Sequence, residues 1–211
     1  MMFPYRKPGP KARLSREVIL RAALATSREI TITGIAEQLG CSAAALYRHV
    51  ESKDDIVIGA LELLIAETPR PDPARGWRGL LEQECDVRWR LYEGHPELFA
   101  AWPRTGRPVI ASVRRNEWVA LRVADAGFDL ADARGVVAAI AAAAADYGLL
   151  LAFQQRPGAV QALDARLGVL GPEMRAVEQD RLSRPRHHFD RQLRILLDGF
   201  AVHYERAIDE C

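Results

Sequence analysis

Four side chains near the C-terminal end belong to the types that catalyse proton transfer or bind metal ions, namely His187, His188, Asp190 and His203. These residues raise the possibility of a helical enzyme, which is the alternative function. His188 and Asp190 are only two positions apart and therefore cannot share one face of a helix. The sequence also has no Gly-rich phosphate loop, GxSxG elbow or HExxH motif. We therefore expect a protein that is not an enzyme and that uses no cofactor or metal.

The cysteines and the apolar segments indicate the cellular compartment. Cys41, Cys85 and Cys211 lie far apart, with no CxxC pair and no histidine at metal-ligand spacing, so we expect reduced thiols. No stretch reaches the roughly 18 uncharged apolar residues that span a bilayer, and the basic, Pro-rich start has no apolar signal core. The sequence thus predicts a cytoplasmic protein without a membrane contact.

Charge is distributed unevenly along the chain. Residues 1–50 contain eight Lys and Arg against three Glu, a net charge of +5, whereas the remainder carries −4. A basic module next to a mildly acidic one is typical of proteins that neutralise nucleic-acid phosphates, although surface solubility alone would also explain it. Within the first 14 residues, prolines rule out a helix interior, and Arg6, Lys7, Lys11 and Arg13 form a flexible basic arm. The arm either contacts DNA or remains a solvated tail.

The composition, rich in Ala, Leu, Val and Arg with 7% aromatic residues, predicts an all-α fold. Near the N-terminus we expect a helix over about 16–28 after Ser15, and a second from the N-cap Thr31 to Gly40, which suits a left-handed helix end. Ser42 would cap a third helix. Ser52, with Asp55 three residues later, would start a fourth that ends before Pro69.

Beyond the Pro-rich segment at 69–73, apolar periodicity predicts a larger helical domain. Its expected helices cover about 77–93, a short stretch to 102, 107–126, a long helix from Asp129 or Asp132 to about 155, and 186–210, whereas 158–185 is expected to be only partly ordered. The predicted organisation is a basic arm at 1–14, a small helical unit at 15–52, a connecting helix at 53–68 and a larger helical domain at 74–211.

The segment Thr31–Val50 has the form of a helix-turn-helix, because two short helices meet at a tight turn and the second begins with small and polar residues. Generic packing of two helices would have the same form. The run from Ile35 to Ile56, IAEQLGCSAAALYRHVESKDDI, resembles the signature of tetracycline-repressor-type (TetR family) regulators, with Ile56 at the usual Leu. The resemblance covers about residues 15–65.

This resemblance implies three N-terminal helices for DNA, a linker helix, and a larger domain that binds an inducer and dimerises. By motif position, Tyr47 and His49 would hold phosphates or the groove edge, and Lys53, Thr31 and Thr33 would contact phosphate. Tyr47 could instead pack beneath the first helix.

The base-facing turn departs from many family members, because Ala43, Ala44 and Ala45 offer methyl groups and no hydrogen bonds to bases. Arg48 and Ser42 therefore become the best candidates for direct base readout.

An inducer would need a mostly apolar cavity with a few polar anchors. Aromatic side chains could form its walls and polar ones its anchors, although such aromatic residues are equally suited to a plain core. The candidate ligand contacts are Trp89, Tyr92, His95, Trp102, Asn116, Trp118, Asp146 and Tyr147.

A homodimer is expected through the helices at about 130–155 and 186–210, because slim alanines allow close approach and the apolar stripe from Phe189 to Tyr204 needs a partner. Burial of these faces within one chain is the alternative. A two-fold dimer would match a palindromic double-stranded operator. The predicted function is a repressor released from this operator by a largely apolar small molecule, with an activator of the same family as the alternative.

Overall fold

A computed structural model describes residues 14–26 and 29–209, without the side chains of Val160 and of residues 204–209. In this part of the chain all regular structure is helical, which confirms the all-α prediction. The basic arm, including Lys11 and Arg13, lies outside the described residues.

The N-terminal unit contains α1 (Arg16–Ala25), α2 (Ile32–Leu39) and α3 (Ala43–Leu46), followed by the linker helix α4 (Lys53–Glu67). Each begins at a predicted N-cap, where the hydroxyl oxygens of Ser15, Thr31, Ser42 and Ser52 accept hydrogen bonds from backbone N–H groups in the first turn. Helix α1 ends at Ala25, three residues before the predicted end. The apolar face of α1 packs on α4. Ile19 of α1 and Leu61 of α4 are both fully buried.

The larger unit consists of α5 (Gly76–Gly94), α6 (Pro96–Ala101), α7 (Ile110–Ala124), α8 (Leu130–Gln154), α9 (Ala159–Arg166), α10 (Pro172–Ser183) and α11 (Pro185–Asp209). Helix α8 lies at the centre and contacts α5, α6, α7 and α11. Helix α7 begins at Ile110 rather than Arg107, because Pro108 disfavours helical conformation at Arg107.

The segment expected to be only partly ordered forms the helices α9 and α10, so this prediction is wrong. The apolar pattern here is weak because no residue of α10 is buried, and Val169, Met174 and Val177 are exposed. Pro172 occupies the first position of α10, where the backbone N–H that proline lacks would have no partner within the helix. Proline therefore favours a helix start here although α10 has no buried apolar face.

By length and composition alone, α8 could cross a membrane, since an 18-residue window has a mean hydropathy of 2.0. In the structure 44% of that window is buried inside the bundle. Since α8 contacts α5, α6, α7 and α11 and buries Ile140 and Tyr147 among them, we assign this buried face to the core of the larger unit.

Candidate functional site

The turn between α2 and α3 is built from local backbone requirements. Gly40 has φ +63°, a left-handed conformation that side chains with a Cβ rarely adopt, and the N–H of Cys41 donates to the carbonyl of Ala36 at 3.0 Å. The Ser42 oxygen then accepts from the N–H of Ala45 at 3.2 Å. These contacts redirect the chain so that α3 starts on the surface with its N-terminal turn accessible.

The outer face of this unit carries the polar residues that the sequence assigned to DNA. Tyr47 is 54% exposed, so the alternative in which it packs beneath α1 is wrong. Arg48 is exposed and His49 half-buried, whereas Leu46 and Val50 are buried beneath them. One side of this short segment therefore packs against the core. The other side presents a phenol, a guanidinium and an imidazole to solvent.

The three alanines of α3 do not share one environment. Ala44 is exposed and Ala43 half-buried, but Ala45 is 8% exposed and packs inward. Ala45 therefore presents little of its surface to a base pair, and its inclusion among the DNA contacts stays a prediction. The physical reason is that Ala45 and the following Leu46 both lie on the side of α3 that faces the core.

Three predicted phosphate contacts flank α3. Thr33 is exposed, while the Thr31 oxygen accepts from the N–H of Gly34 at 3.0 Å as the cap of α2. Lys53 is the first residue of α4, and its ammonium lies 3.4 Å from the Glu29 carboxylate. A phosphate at Lys53 must therefore compete with Glu29 for the same charge.

Ion pairs hold α1 on the linker helix α4. Arg16 of α1 donates two hydrogen bonds, of 2.5 and 2.7 Å, to Asp55 of α4. Asp55 also accepts from the N–H of Glu51 at 3.2 Å. The hydrogen bond from Arg16 is the main reason that the pKa of Asp55 is lowered. Further along, Arg21 bonds Glu67, so α1 is fixed to both ends of α4.

Several of the predicted ligand contacts lie in the core of the larger unit. Trp89, Tyr92 and Tyr147 are each at most 7% exposed. The Tyr92 and Phe99 rings are 4.0 Å apart, and Phe189 lies 5.4 Å from Trp89 and 5.5 Å from Tyr147. These rings pack on one another, and their role in ligand binding stays a prediction.

The other candidate ligand contacts are spread over the larger unit. Trp102 donates from Nε1 to the Arg107 carbonyl at 3.0 Å, and Trp118 lies beneath the Arg70 guanidinium. Asp146 is on the surface, 3.5 Å from Arg181. The structure therefore does not bring these three residues into one site.

Asn116 lies at a surface groove, and His95 lies between the two units. Asn116 lines a groove of about 510 Å³ between α7 and α8, whose lining also includes Val113, Leu121, Val137 and Arg134. The half-buried His95, between α5 and α6, contacts the backbone of Leu24 in α1, and burial lowers its pKa. His95 thus lies at the junction of the two units.

The sequence was compared with family models and with curated proteins. No family model matches the sequence. An HTH-type transcriptional regulator of Saccharopolyspora erythraea is 29% identical over 146 residues, which are 65% of this chain and 61% of that protein. The match therefore spans less than two thirds of that relative.

Solved structures resemble the chain over nearly its whole length. A possible TetR family transcriptional regulator of Streptomyces coelicolor superposes with a TM-score of 0.70 at 18% identity, covering 89% of this chain and 99% of that one. This chain has the TetR family fold. The Streptomyces coelicolor TetR family protein ActR, solved in complex with (S)-DNPA, gives a TM-score of 0.62 at 16% identity over 91% of this chain and 99% of that one. Mycobacterium smegmatis BioQ gives 0.59 at 20% identity over 90% and 99%.

The residues considered for catalysis do not converge in this TetR fold. His188 bonds Asp180 at 2.7 Å, Asp190 accepts from Arg186 at 2.8 Å, and His203 lies 3.0 Å from Asp132. Among the described residues, no group of three His, Cys, Asp or Glu side chains could hold a metal ion. His188, Asp190 and His203 are thus each engaged in a separate pair.

Sequence reasoning missed a buried charged network at the junction of the units. Glu84, Arg88 and Arg115 are at most 7% exposed, although charged residues are rarely buried. Arg115 donates from Nη2 to Glu84 at 2.8 Å, and Arg88 lies 2.9 Å from the same carboxylate. The signal that could have revealed the network is the pair Glu84 and Arg88, four residues apart on the apolar face of α5.

Proposed function

We propose that this chain is a DNA-binding transcriptional regulator whose α3 segment enters the major groove. The observation that carries the proposal is the exposed set Ser42, Tyr47 and Arg48, which flanks the one-turn helix α3 directly after a left-handed glycine turn. A helix presented in this way can reach base edges, while Thr33 and Lys53 are near enough in the fold to contact the flanking backbone. Arg48 and Ser42 are the proposed base readers.

Binding should be tested by fluorescence anisotropy on the DNA upstream of the protein's own gene, at two salt concentrations. We expect affinity to fall steeply with salt, because neutralised phosphates release counterions. Tyr47→Ala should weaken binding to all DNA, and Arg48→Ala should lower the preference for the operator over unrelated DNA by about tenfold, since a good base contact contributes about 1–3 kcal/mol. Arg90→Ala removes an exposed arginine of α5 as the matched control.

The DNA proposal fails if the wild-type protein binds upstream and unrelated DNA equally weakly at both salt concentrations. The assignment of Arg48 fails if Arg48→Ala and Arg90→Ala behave alike.

We further propose that the regulator acts as a homodimer through α8 and α11. Less than half of the apolar α8 window is buried within one chain, and Leu149, Ile195 and Val202 are exposed on these two helices. Exposed apolar surface of this kind marks an interaction site. A two-fold pair would place two α3 segments about one helical turn, roughly 34 Å, apart on a palindromic operator.

The regulatory part of the proposal is that a largely apolar small molecule releases the protein from DNA, so that the regulator is a repressor. The similar protein ActR was solved with the small molecule (S)-DNPA. Here the groove between α7 and α8 is the best candidate for the ligand, because its volume of about 510 Å³ lies within the range of small-molecule sites. Ligand binding would tilt α4 and change the separation of the two α3 segments.

Coupling of this kind is reciprocal, so operator DNA must weaken ligand binding by the same factor as ligand weakens DNA binding. Once a ligand has been found by thermal-shift screening, its Kd should be measured with and without operator. Equal values would exclude the proposed release mechanism.

A further inference from the structure

The N-terminus of α7 is capped by a side chain from the linker helix. The N-cap position of α7 is Val109, which has no polar side chain. Glu62 of α4 takes this role, because its carboxylate accepts hydrogen bonds from the backbone N–H of Ala111, at 2.8 Å, and from that of Ile110. The first N–H groups of a helix otherwise have no partner, and a negative charge there also interacts favourably with the helix dipole.

The C-terminus of α4 is capped in return by a side chain from α7. Arg115 donates from Nη1 to the carbonyl of Thr68 at 3.0 Å and from Nη2 to that of Pro69 at 2.9 Å. Thr68 is the C-cap residue of α4 and directly follows Glu67. A cation at this position interacts favourably with the negative end of the helix dipole. Each of the two helices therefore caps an end of the other.

Buried neighbours hold the Arg115 guanidinium in place. Nε and Nη2 donate to the Glu84 carboxylate of α5 at 2.8–3.0 Å, and Glu84 is only 1% exposed. Arg88 lies 2.9 Å from Glu84 and donates to Asn116 at 2.6 Å. Two arginines around one carboxylate leave an excess positive charge, which the carbonyls at the end of α4 partly balance. Since a buried charge is costly to leave unpaired, the network favours this one arrangement of α4, α5 and α7.

We propose that Glu62 and Arg115 are positioning residues that join α4 and α7 into one rigid body, so that α7 sets the orientation of the DNA-binding helices. The expected effect on operator affinity rests on the proposed DNA-binding function. The rigid contact between α4 and α7 does not depend on that function. On its other side α7 lines the groove that contains Asn116. A displacement of α7 at that groove therefore reaches the linker helix through these two caps.

The joint should be tested with Glu62→Gln, Arg115→Lys and the double variant. Val119→Ala is the control, because Val119 is a fully buried residue of the same helix α7 and its truncation lowers stability without touching either cap. Each variant is compared by thermal unfolding, by hydrogen exchange followed by mass spectrometry, and by anisotropy on upstream and unrelated DNA.

Hydrogen exchange tests the joint without DNA. We expect Arg115→Lys to accelerate exchange of the Ile110 and Ala111 amides about tenfold, as Glu62→Gln does, because loss of one cap lets α4 and α7 separate and so loses the other. Val119→Ala should leave these amides unchanged relative to neighbouring α7 amides. If Arg115→Lys accelerates exchange near Thr68 and Pro69 but leaves the Ile110 and Ala111 amides unchanged, α4 and α7 are not one rigid body. The inference is then overturned.

DNA binding tests the consequence. Each single variant should lower the ratio of upstream to unrelated DNA affinity about tenfold, and the double variant by no more than about twofold further, since two caps of one joint are not additive. Additive losses, or a ratio unchanged as in Val119→Ala, would show that the caps only stabilise the fold. If wild-type protein does not discriminate between the DNAs, the proposed function fails, while the exchange result still decides the joint.

Discussion

At the scale of single residues, exposure divides the predicted DNA-binding set. Tyr47 and Ala45 are two positions apart, yet Tyr47 is 54% and Ala45 8% exposed. The sequence motif identifies both positions, but it does not show which of them faces solvent, because α3 is too short for a clear helical period. Sequence reasoning was therefore sufficient to select the segment and insufficient to select every side chain in it.

Asp55 should give the N-terminal unit a specific pH dependence. Its hydrogen bonds with Arg16 lower the pKa of Asp55 below its ordinary 3.8, so its contribution to stability is present above that pH and is lost as the pH falls through the lower, folded value. Asp55→Asn should destabilise the protein at pH 7 by up to about 1 kcal/mol, because Arg16 is partly exposed.

The measurement is urea unfolding of wild type and variant between neutral and acidic pH. The difference in unfolding free energy should shrink at the acidic end. A difference that is the same at every pH would mean that the ionised carboxylate does not stabilise the contact between α1 and α4.

Cys85 should be unreactive in the folded protein. It is completely buried in α5, and this burial raises the pKa of its thiol to about 12. Because the thiolate is the reactive form, iodoacetamide at pH 8 should leave Cys85 unmodified until the protein is unfolded. Peptide mass spectrometry measures the modification at each cysteine. Rapid labelling of Cys85 under native conditions would show that α5 opens easily.

At the scale of elements, the fold depends on close contact between α5 and α8 at Gly148. A Cβ at this position would lie 1.9 Å from Cδ1 of Tyr92, whose ring packs against Phe99. Gly148→Ala should therefore destabilise the protein by about 1–3 kcal/mol, the usual cost of an overpacked core, although alanine favours helices. Gly94→Ala, with no atom within 4 Å of the new Cβ, is the matched control and should leave stability unchanged or slightly raised.

Unfolding in guanidinium chloride measures both glycine variants. If the two behave alike, Tyr92 can move aside and the contact between α5 and α8 is looser than the structure shows.

The predictability of each element follows from the range of the interactions that form it. The starts of α1 to α4 were predictable because a serine or threonine caps its own first turn. The helices α9 and α10 were not, because α10 buries no residue and so leaves no apolar period. The pairing of Glu62 with α7 and of Arg115 with α4 joins residues 46–49 positions apart, and nothing local in the sequence indicates it.

At the scale of the whole molecule, the exposed face of α8 determines the expected assembly. Ala142 is exposed on this helix, and Ala142→Glu would place a charge where the second copy is proposed to pack. We expect the variant to be a monomer and to bind its operator at least tenfold more weakly, since one subunit then contacts one half-site. Light scattering after size-exclusion chromatography measures the mass.

Ala176→Glu introduces the same charge on the exposed surface of α10 and serves as the control. A dimer that survives Ala142→Glu, or that is lost equally in Ala176→Glu, would place the interface elsewhere.

The caps between α4 and α7 also have a consequence for modularity. At the end of α4 the bonds from Arg115 go to main-chain carbonyls, and at the start of α7 the bonds to Glu62 come from main-chain N–H groups. Half of each contact is thus independent of side-chain identity. The two caps would therefore survive replacement of residues 14–67 by the corresponding segment of a different regulator, provided that its linker helix has a glutamate in register with Glu62 and keeps the apolar residues of α4 that pack against the larger unit. Under the proposed function, recombination at this boundary would change the operator and preserve the ligand response.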